Sequence, residues 1–248
     1  MNKKSKTALI VVGVIVGITA LIFVGVNLKL KSIISDFVPL ETGRVVDDIF
    51  VVKDDYVNLF IIQDSGQYIV IDCGINQTTV VEQMKKLGIN PQEVVAVLLT
   101  HTDSDHVGAL SLFNHAELYM AKEEELMING EISRFLWFGN SISRTDYILL
   151  EDRQIIQIGN LKIECYLAPG HTNGTMAYLV NDKYLFSGDI VSLKEGKIAP
   201  APALFDMDRE QALKSIEIIR HIPTAKCIFT GHCGYTDNYQ MAVQKIDL

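Results

Sequence analysis

Acidic residues are missing from the first 31 positions, which hold five lysines (Lys3, Lys4, Lys6, Lys29, Lys31). Basic residues are scarce in the rest. Of 22 Lys and Arg, 17 remain there against all 30 Asp and Glu, a net −13 over 217 residues. A body that acidic repels phosphate backbones, so no nucleic acid is expected as a partner. Cysteine pairs are also lacking. Cys73, Cys165, Cys227 and Cys233 stand apart with no C-x-x-C. This excludes a disulfide framework and a zinc-finger pattern, and leaves the four as small buried hydrophobes. Six prolines in 248 residues exclude a proline-rich or collagenous chain. A composition of 48% hydrophobic and 21% charged residues is too apolar for disorder.

One long hydrophobic run is present. Thr7–Leu28 comprises 22 residues without a charge. As a helix it spans ~33 Å, enough for a ~30 Å hydrocarbon core. A cleaved signal peptide has an apolar region of ~7–15 residues and a small-x-small cleavage site. This run is longer and no A-x-A stands near its end, so residues 1–31 read as a transmembrane anchor. Three lysines precede the run and two follow it. The positive-inside rule then sets the N-terminus in the cytoplasm and the body outside, as a single-pass membrane protein. Residues 32–44 read as a tether, and 45–248 as one domain of ordinary size.

Strand signals open that domain at Val45–Val52, Asn58–Gln63 and Tyr68–Ile71, with Asp64-Ser65-Gly66 as turn chemistry. Thr78–Leu87 places Val81, Met84 and Leu87 on one helical face, and Gly88 stops it. Val94–Leu99 is a continuous apolar run of the kind buried on both faces. The alternation repeats. Lys162–Leu167, Met176–Val180 and Tyr184–Phe186 are expected strands, Arg209–Arg220 a helix and Ala225–Phe229 a strand. Two such halves predict a layered α/β domain. Residues 120–150 are irregular and hold Phe135, Trp137 and Phe138, which core packing or a substrate wall would explain equally well.

Chemistry-bearing residues gather where expected strands end, and α/β folds place their sites at such ends. The Val94–Leu99 run leads into Thr100-His101-Thr102-Asp103-Ser104-Asp105-His106. Three further strand ends lead to His171, Asp189 and His232. Imidazole and carboxylate suit zinc and iron, and carboxylate also suits manganese. Seven such ligands exceed what one tetrahedral ion needs and match two ions sharing a bridging carboxylate. Asp103-Ser104-Asp105 lacks the glycine and distal glutamate of an EF-hand. His115 and His221 fit no pattern and read as ordinary solvated or core histidines.

The order of these residues resembles the metallo-β-lactamase-fold hydrolases, whose signature is H-x-H-x-D-H followed by distant H, D and H. This chain reads H-T-D-S-D-H at 101–106, then His171, Asp189 and His232, at successive gaps of 65, 18 and 43 residues. Asn58-Leu59 and Ile71-Asp72-Cys73-Gly74 resemble the family's early strand and D-x-G turn. The resemblance implies a four-layer αβ/βα sandwich over the body, following one transmembrane helix. It implies one divalent metal at His101, Asp103 and His171, another at Asp105, His106 and His232, and Asp189 bridging them. Asp72 would support a ligand histidine from behind. Zinc is the expected metal. Asp103 stands where the family has its second histidine, and its harder oxygen brings in iron or manganese as alternatives.

The resemblance further implies a hydrolase of a small-molecule substrate. A hydroxide shared by the two metals would cleave an ester, thioester, lactone or amide bond, with Asp105 as the catalytic carboxylate. Asp189 points away from antibiotic hydrolysis and towards short glyoxalase-II-like or lactonase-like members. Two alternatives stay open on sequence: a diiron redox protein of flavodiiron type, motivated by Asp103, and a non-catalytic binding or sensor module.

Overall fold

Alternating burial along residues 161–165 turns Leu161, Ile163 and Cys165 inward and Lys162 and Glu164 outward, the period-2 pattern of a strand, and Tyr166 is buried against the opposite face. The same physics builds two face-to-face sheets. The structure, a computed structural model, describes residues 3–244. It divides into two compact units, Met1–Phe37 and Val38–Leu248.

The first unit is helix α1 (Lys3–Ile34). Its stretch Val12–Ile34 is long and apolar enough to cross a membrane, a test that a signal sequence also passes. The second unit begins at Val38. Leu40, inside the stretch expected as a tether, packs on the core, and its N–H donates to Asn58 Oδ1 at 2.9 Å.

In the second unit, strands β1 (Gly43–Val46), β2 (Ile49–Asp54), β3 (Val57–Asp64), β4 (Gln67–Ile71), β5 (Val94–Leu98), β6 (Glu117–Ala121) and β7 (Ile148–Leu150) form one sheet in that order. Strands β1 to β4 run antiparallel and β4 to β7 parallel. The second sheet uses β8 (Ile155–Ile158), β9 (Leu161–Leu167), β10 (Met176–Val180) and β11 (Tyr184–Phe186). A separate hairpin, β12 (Val191–Lys194) with β13 (Lys197–Pro200), follows in the chain. Then β14 (Cys227–Phe229) pairs parallel with β11, and β15 (Tyr235–Thr236) closes the edge.

Three apolar layers fix the sandwich. Between the sheets, Phe60 of β3 meets Phe186 and Phe229 of the other sheet at ring distances of 5.5 and 5.3 Å. Helix α2 (Gln77–Lys86) covers the outer face of the first sheet through Val80 and Met84. Helices α5 (Arg209–Arg220) and α6 (Tyr239–Ala242) cover the second through Ile216, Ile219 and Tyr239. The two remaining helices, α3 (Ser104–Val107) and α4 (Lys122–Ile128), are short and lie near the strand ends.

Local chemistry explains the boundaries. Asn76 caps α2 by accepting from Thr78 and Thr79 N–H, and Asp208 caps α5 by accepting from Gln211 N–H. Asn181 and Asp182 both adopt positive φ (51° and 52°), the conformation a two-residue hairpin needs. One expected strand is divided. Val45–Val52 is a hairpin rather than a single strand, because Asp47 turns the chain at φ 45° and Arg44 pairs with Phe50. Aspartate tolerates that left-handed turn, which β-branched residues resist. The irregular stretch 120–150 holds α4 and β7, each too short to show a period.

Candidate metal centre

Parallel pairing sets the strand ends side by side. Ile71 lies beside Leu98 in β4–β5, and Phe186 beside Phe229 in β11–β14. The residues following each pair therefore emerge together. The two sheets are joined at this edge by Met176 N–H to Thr100 O (2.8 Å), Asn58 N–H to Gly231 O (2.7 Å) and Tyr178 O–H to Leu99 O (2.6 Å). All seven expected ligands meet here. His101, Asp103 and His171 form one group, Asp105, His106 and His232 another, and His101, His106 and Asp189 a third between them. His115 and His221 are exposed and lie outside these groups.

The imidazoles are oriented from behind. Asp72, at φ 61° in its turn, folds its carboxylate back to accept from Thr100 N–H, Thr100 O–H and His106 Nδ1–H, each at 2.8 Å. Thr100 spends its single hydrogen on Asp72, so its oxygen only accepts from His101 Nδ1–H at 3.0 Å. His232 Nδ1–H donates to the Tyr56 carbonyl at 2.8 Å. The outer nitrogen of His171 lies 3.6 Å from Asp206 Oδ1. All four rings thus turn Nε2 towards the carboxylates. His171 Nε2 is 3.2 Å from Asp103 Oδ2, His232 Nε2 is 2.9 Å from Asp189 Oδ2, and His106 Nε2 is 3.5 Å from Asp189 Oδ1.

This arrangement fits a cation. His101 Nε2, His106 Nε2 and Asp189 Oδ1 are fully buried and have no hydrogen-bond partner among the described residues. With Nδ1 protonated, the first two are lone-pair acceptors facing another acceptor. Such atoms are costly to bury unless a positive charge lies between them. The electrostatics agree. Burial opposes a charged His106, yet Asp72, Asp189 and Asp105 outweigh it and hold the ring well above the usual imidazole value. Burial likewise opposes a charged His171, but Asp103, Asp206 and Asp189 push it up to about 9. His101 goes the other way, lowered by burial and by neighbouring His106. Burial resists ionisation of Asp189, but His232 and His106 hold it well below the carboxylate range.

Three contributors have no signal in the motif. Arg134 grips Asp103 through Nε (2.8 Å) and Nη2 (2.7 Å), and Asn140 donates to the same carboxylate at 2.8 Å. Glu124 is buried and accepts from Thr102 N–H and Gly174 N–H at 2.7 and 3.1 Å and from the Thr102 and Thr172 hydroxyls. It ties the 101–106 loop to the 171–175 loop. A carboxylate among ligands is itself the clue to a compensating cation, and Arg134 supplies one. Phe135, Trp137 and Phe138 are exposed rather than core. Cys73, Cys165 and Cys227 are buried as expected, whereas Cys233 is half-buried.

Known proteins resemble this chain over most of its length. The sequence profile of the Metallo-beta-lactamase superfamily matches residues 52–232. A probable polyketide biosynthesis zinc-dependent hydrolase of Bacillus subtilis is 32% identical over 184 residues, covering 70% of this chain and 71% of that one. A hydroxyacylglutathione hydrolase of Buchnera aphidicola is 26% identical, over 80% of this chain and 70% of that one. Among solved structures, a B3 metallo-β-lactamase described as the first with an active-site glutamic acid superposes with a TM-score of 0.64 at 18% identity, covering 84% and 86% of the two chains. With its two mixed sheets and outer helices, its cluster of histidines and aspartates, and the profile spanning most of its length, the chain belongs to the metallo-beta-lactamase superfamily of hydrolases.

Proposed function

We propose that the chain is a metal-dependent acyl hydrolase acting on a thioester, ester, lactone or amide bond of a small molecule. One observation carries this: four imidazoles, three of them with the outer nitrogen hydrogen-bonded and the fourth, His171, with it 3.6 Å from Asp206, turn Nε2 onto three carboxylates at the ends of neighbouring strands. His106, His232, Asp105 and Asp189 would hold one divalent ion; His101, His171 and Asp103, with Asp189 shared, form a second half-site. Zinc is the metal named for the Bacillus relative. When bound, such an ion polarises the scissile carbonyl and makes water acidic enough to attack near neutral pH.

The chain's own groups do the rest. Asp105, 3.6 Å from His232 Nε2 and 20% exposed, is the site carboxylate most open to solvent. It orients the attacking water and takes its proton. Asp72 and Thr100 hold His106 and His101 in the tautomer whose lone pair faces the site. Glu124 keeps the two ligand loops in register. An acyl–thiol substrate is favoured by the name of the Buchnera relative. The test is a hydrolysis panel on zinc-loaded full-length protein, with a lactone, a thioester, a phosphodiester and a cephalosporin. Turnover of the thioester or lactone, lost in Asp105→Asn, is expected. Cleavage of the phosphodiester alone would refute the reading.

The N-terminal helix is read as a single-pass anchor with the catalytic domain extracytoplasmic. Its length, apolarity and flanking lysines support this. The full chain should sediment with membranes at its uncleaved mass, and protease added to spheroplasts should digest the body. A cleaved, freely soluble chain would refute the anchor.

A further inference from the structure

Arg134 stands inside the half-site formed by His101, Asp103 and His171. Its Nη2 lies 2.7 Å from Asp103 Oδ2 and 3.4 Å from His171 Nε2, and donates to the Phe205 carbonyl at 2.7 Å. Its Nε donates to Asp103 Oδ1, which also accepts from Asn140. Asp103 therefore has each oxygen engaged by guanidinium, with Asn140 and His171 taking further positions. Only a carboxylate accepts a guanidinium through two parallel bonds; a histidine at 103 offers a single lone pair. Arg134 is largely shielded from water, with 16% of its side chain exposed.

The clasp is held by its own stretch of chain. Arg134 N–H donates to Phe138 O at 2.7 Å across a short hairpin, and Asn140 bonds Thr102 Oγ1 at 3.1 Å as well as Asp103. A cation on Asp103 and His171 would have to share both with a positive group already beside them. In a site this shielded, like charges repel strongly. The other half-site has no such competitor. Asp105, His106 and His232, with Asp189, face one another, and among the described residues no lysine or arginine is bonded to either carboxylate; only imidazoles lie against them.

We infer that the Arg134 guanidinium takes the place of the first metal ion. The chain then binds one divalent cation, at Asp105, His106, His232 and Asp189, and Asp103 serves as the anchor of a fixed organic cation rather than as a metal ligand. Arg134 is in this sense a positioning residue. The inference rests on the metal-hydrolase reading and replaces its second ion.

The test is the zinc content of the full chain in detergent, equilibrated with zinc chloride and measured by mass spectrometry of the metal against protein concentration. The unaltered chain should hold one equivalent, and Arg134→Lys should keep it at one. Arg134→Met, which keeps bulk and removes charge, should raise it to two, and so should Arg134→Met combined with Asp103→His. Two tightly held equivalents in the unaltered chain would overturn the inference whether or not any variant folds, and would leave the hydrolase reading standing. One equivalent in every variant would also overturn it, since Arg134 would then not be what excludes the second ion. No zinc at all would sink the metal-hydrolase reading and this inference with it.

Discussion

Asp72 touches no substrate in this account, yet replacing it by asparagine should loosen the metal centre. Its carboxylate accepts three hydrogen bonds at 2.8 Å, from Thr100 N–H, Thr100 O–H and His106 Nδ1–H. Asparagine keeps the shape but offers one accepting oxygen. If that oxygen stays on Thr100 N–H, the new NH2 faces His106 Nδ1, and the ring must accept there and carry its proton on Nε2, inside the site. If the amide flips, Thr100 N–H is stranded in a buried position at a cost of about 1–3 kcal/mol. In the first case the lone pair that would bind metal is lost. Removing such a supporting partner lowers metal affinity by roughly 10–100-fold, or about 1.4–2.7 kcal/mol. The assay is competition for zinc between the full chain and a chromogenic chelator, with urea unfolding on the same samples. Thr100→Val removes the hydroxyl's bonds to Asp72 and His101 but leaves Asp72 on His106 Nδ1–H, and should weaken binding by less. A folded Asp72→Asn chain with unaltered zinc affinity would refute the tautomer argument.

Other perturbations probe the same framework. Gly231→Ala would put a Cβ 2.2 Å from Asp189 Oδ1 and 3.0 Å from His106 Cε1, so zinc affinity should fall while the urea midpoint moves little; a normal affinity would show that Asp189 is not held where described. Glu124→Gln leaves a backbone N–H of Thr102 or Gly174 facing an amide donor and should lower unfolding stability by about 1–3 kcal/mol, read from denaturant curves. Asp64 joins the two sheets by accepting from Asn160 N–H at 2.7 Å and its side-chain amide at 3.0 Å, and these bonds lower its folded-state pKa. The unfolded chain then binds that proton more readily, so the contribution is complete above ~3.9 and fades as pH falls through the folded value. Asp64→Asn should flatten the acid limb of stability against pH; an unchanged limb would count against the link.

Much of the centre was legible because its residues follow strands. An apolar run such as Val94–Leu99 identifies itself, and the histidines and aspartates after it have no reason to be buried unless they share a task. The Arg209–Arg220 helix is expected from the sequence, and the structure caps it at Asp208. What escaped lies between short elements. Arg134, Asn140 and Glu124 come from 120–150, where a seven-residue helix and a three-residue strand leave no period to detect. Their side chains' partners are 22 to 71 residues away in sequence. The Tyr56 carbonyl that orients His232 is backbone and leaves no mark in side-chain chemistry. The Asp47 turn failed to register because one positive-φ aspartate between apolar residues looks like strand alternation.

The central claim is that hydrolysis depends on a metal ion held by these strand-end histidines and aspartates. It is tested most directly by following acyl hydrolysis and metal content together as the full chain is dialysed against a chelator and then supplied with zinc. Activity should fall in proportion to bound metal and return with zinc in the unaltered chain, but not in Asp189→Ala. Undiminished hydrolysis by metal-free protein, or full recovery in Asp189→Ala, would contradict the account.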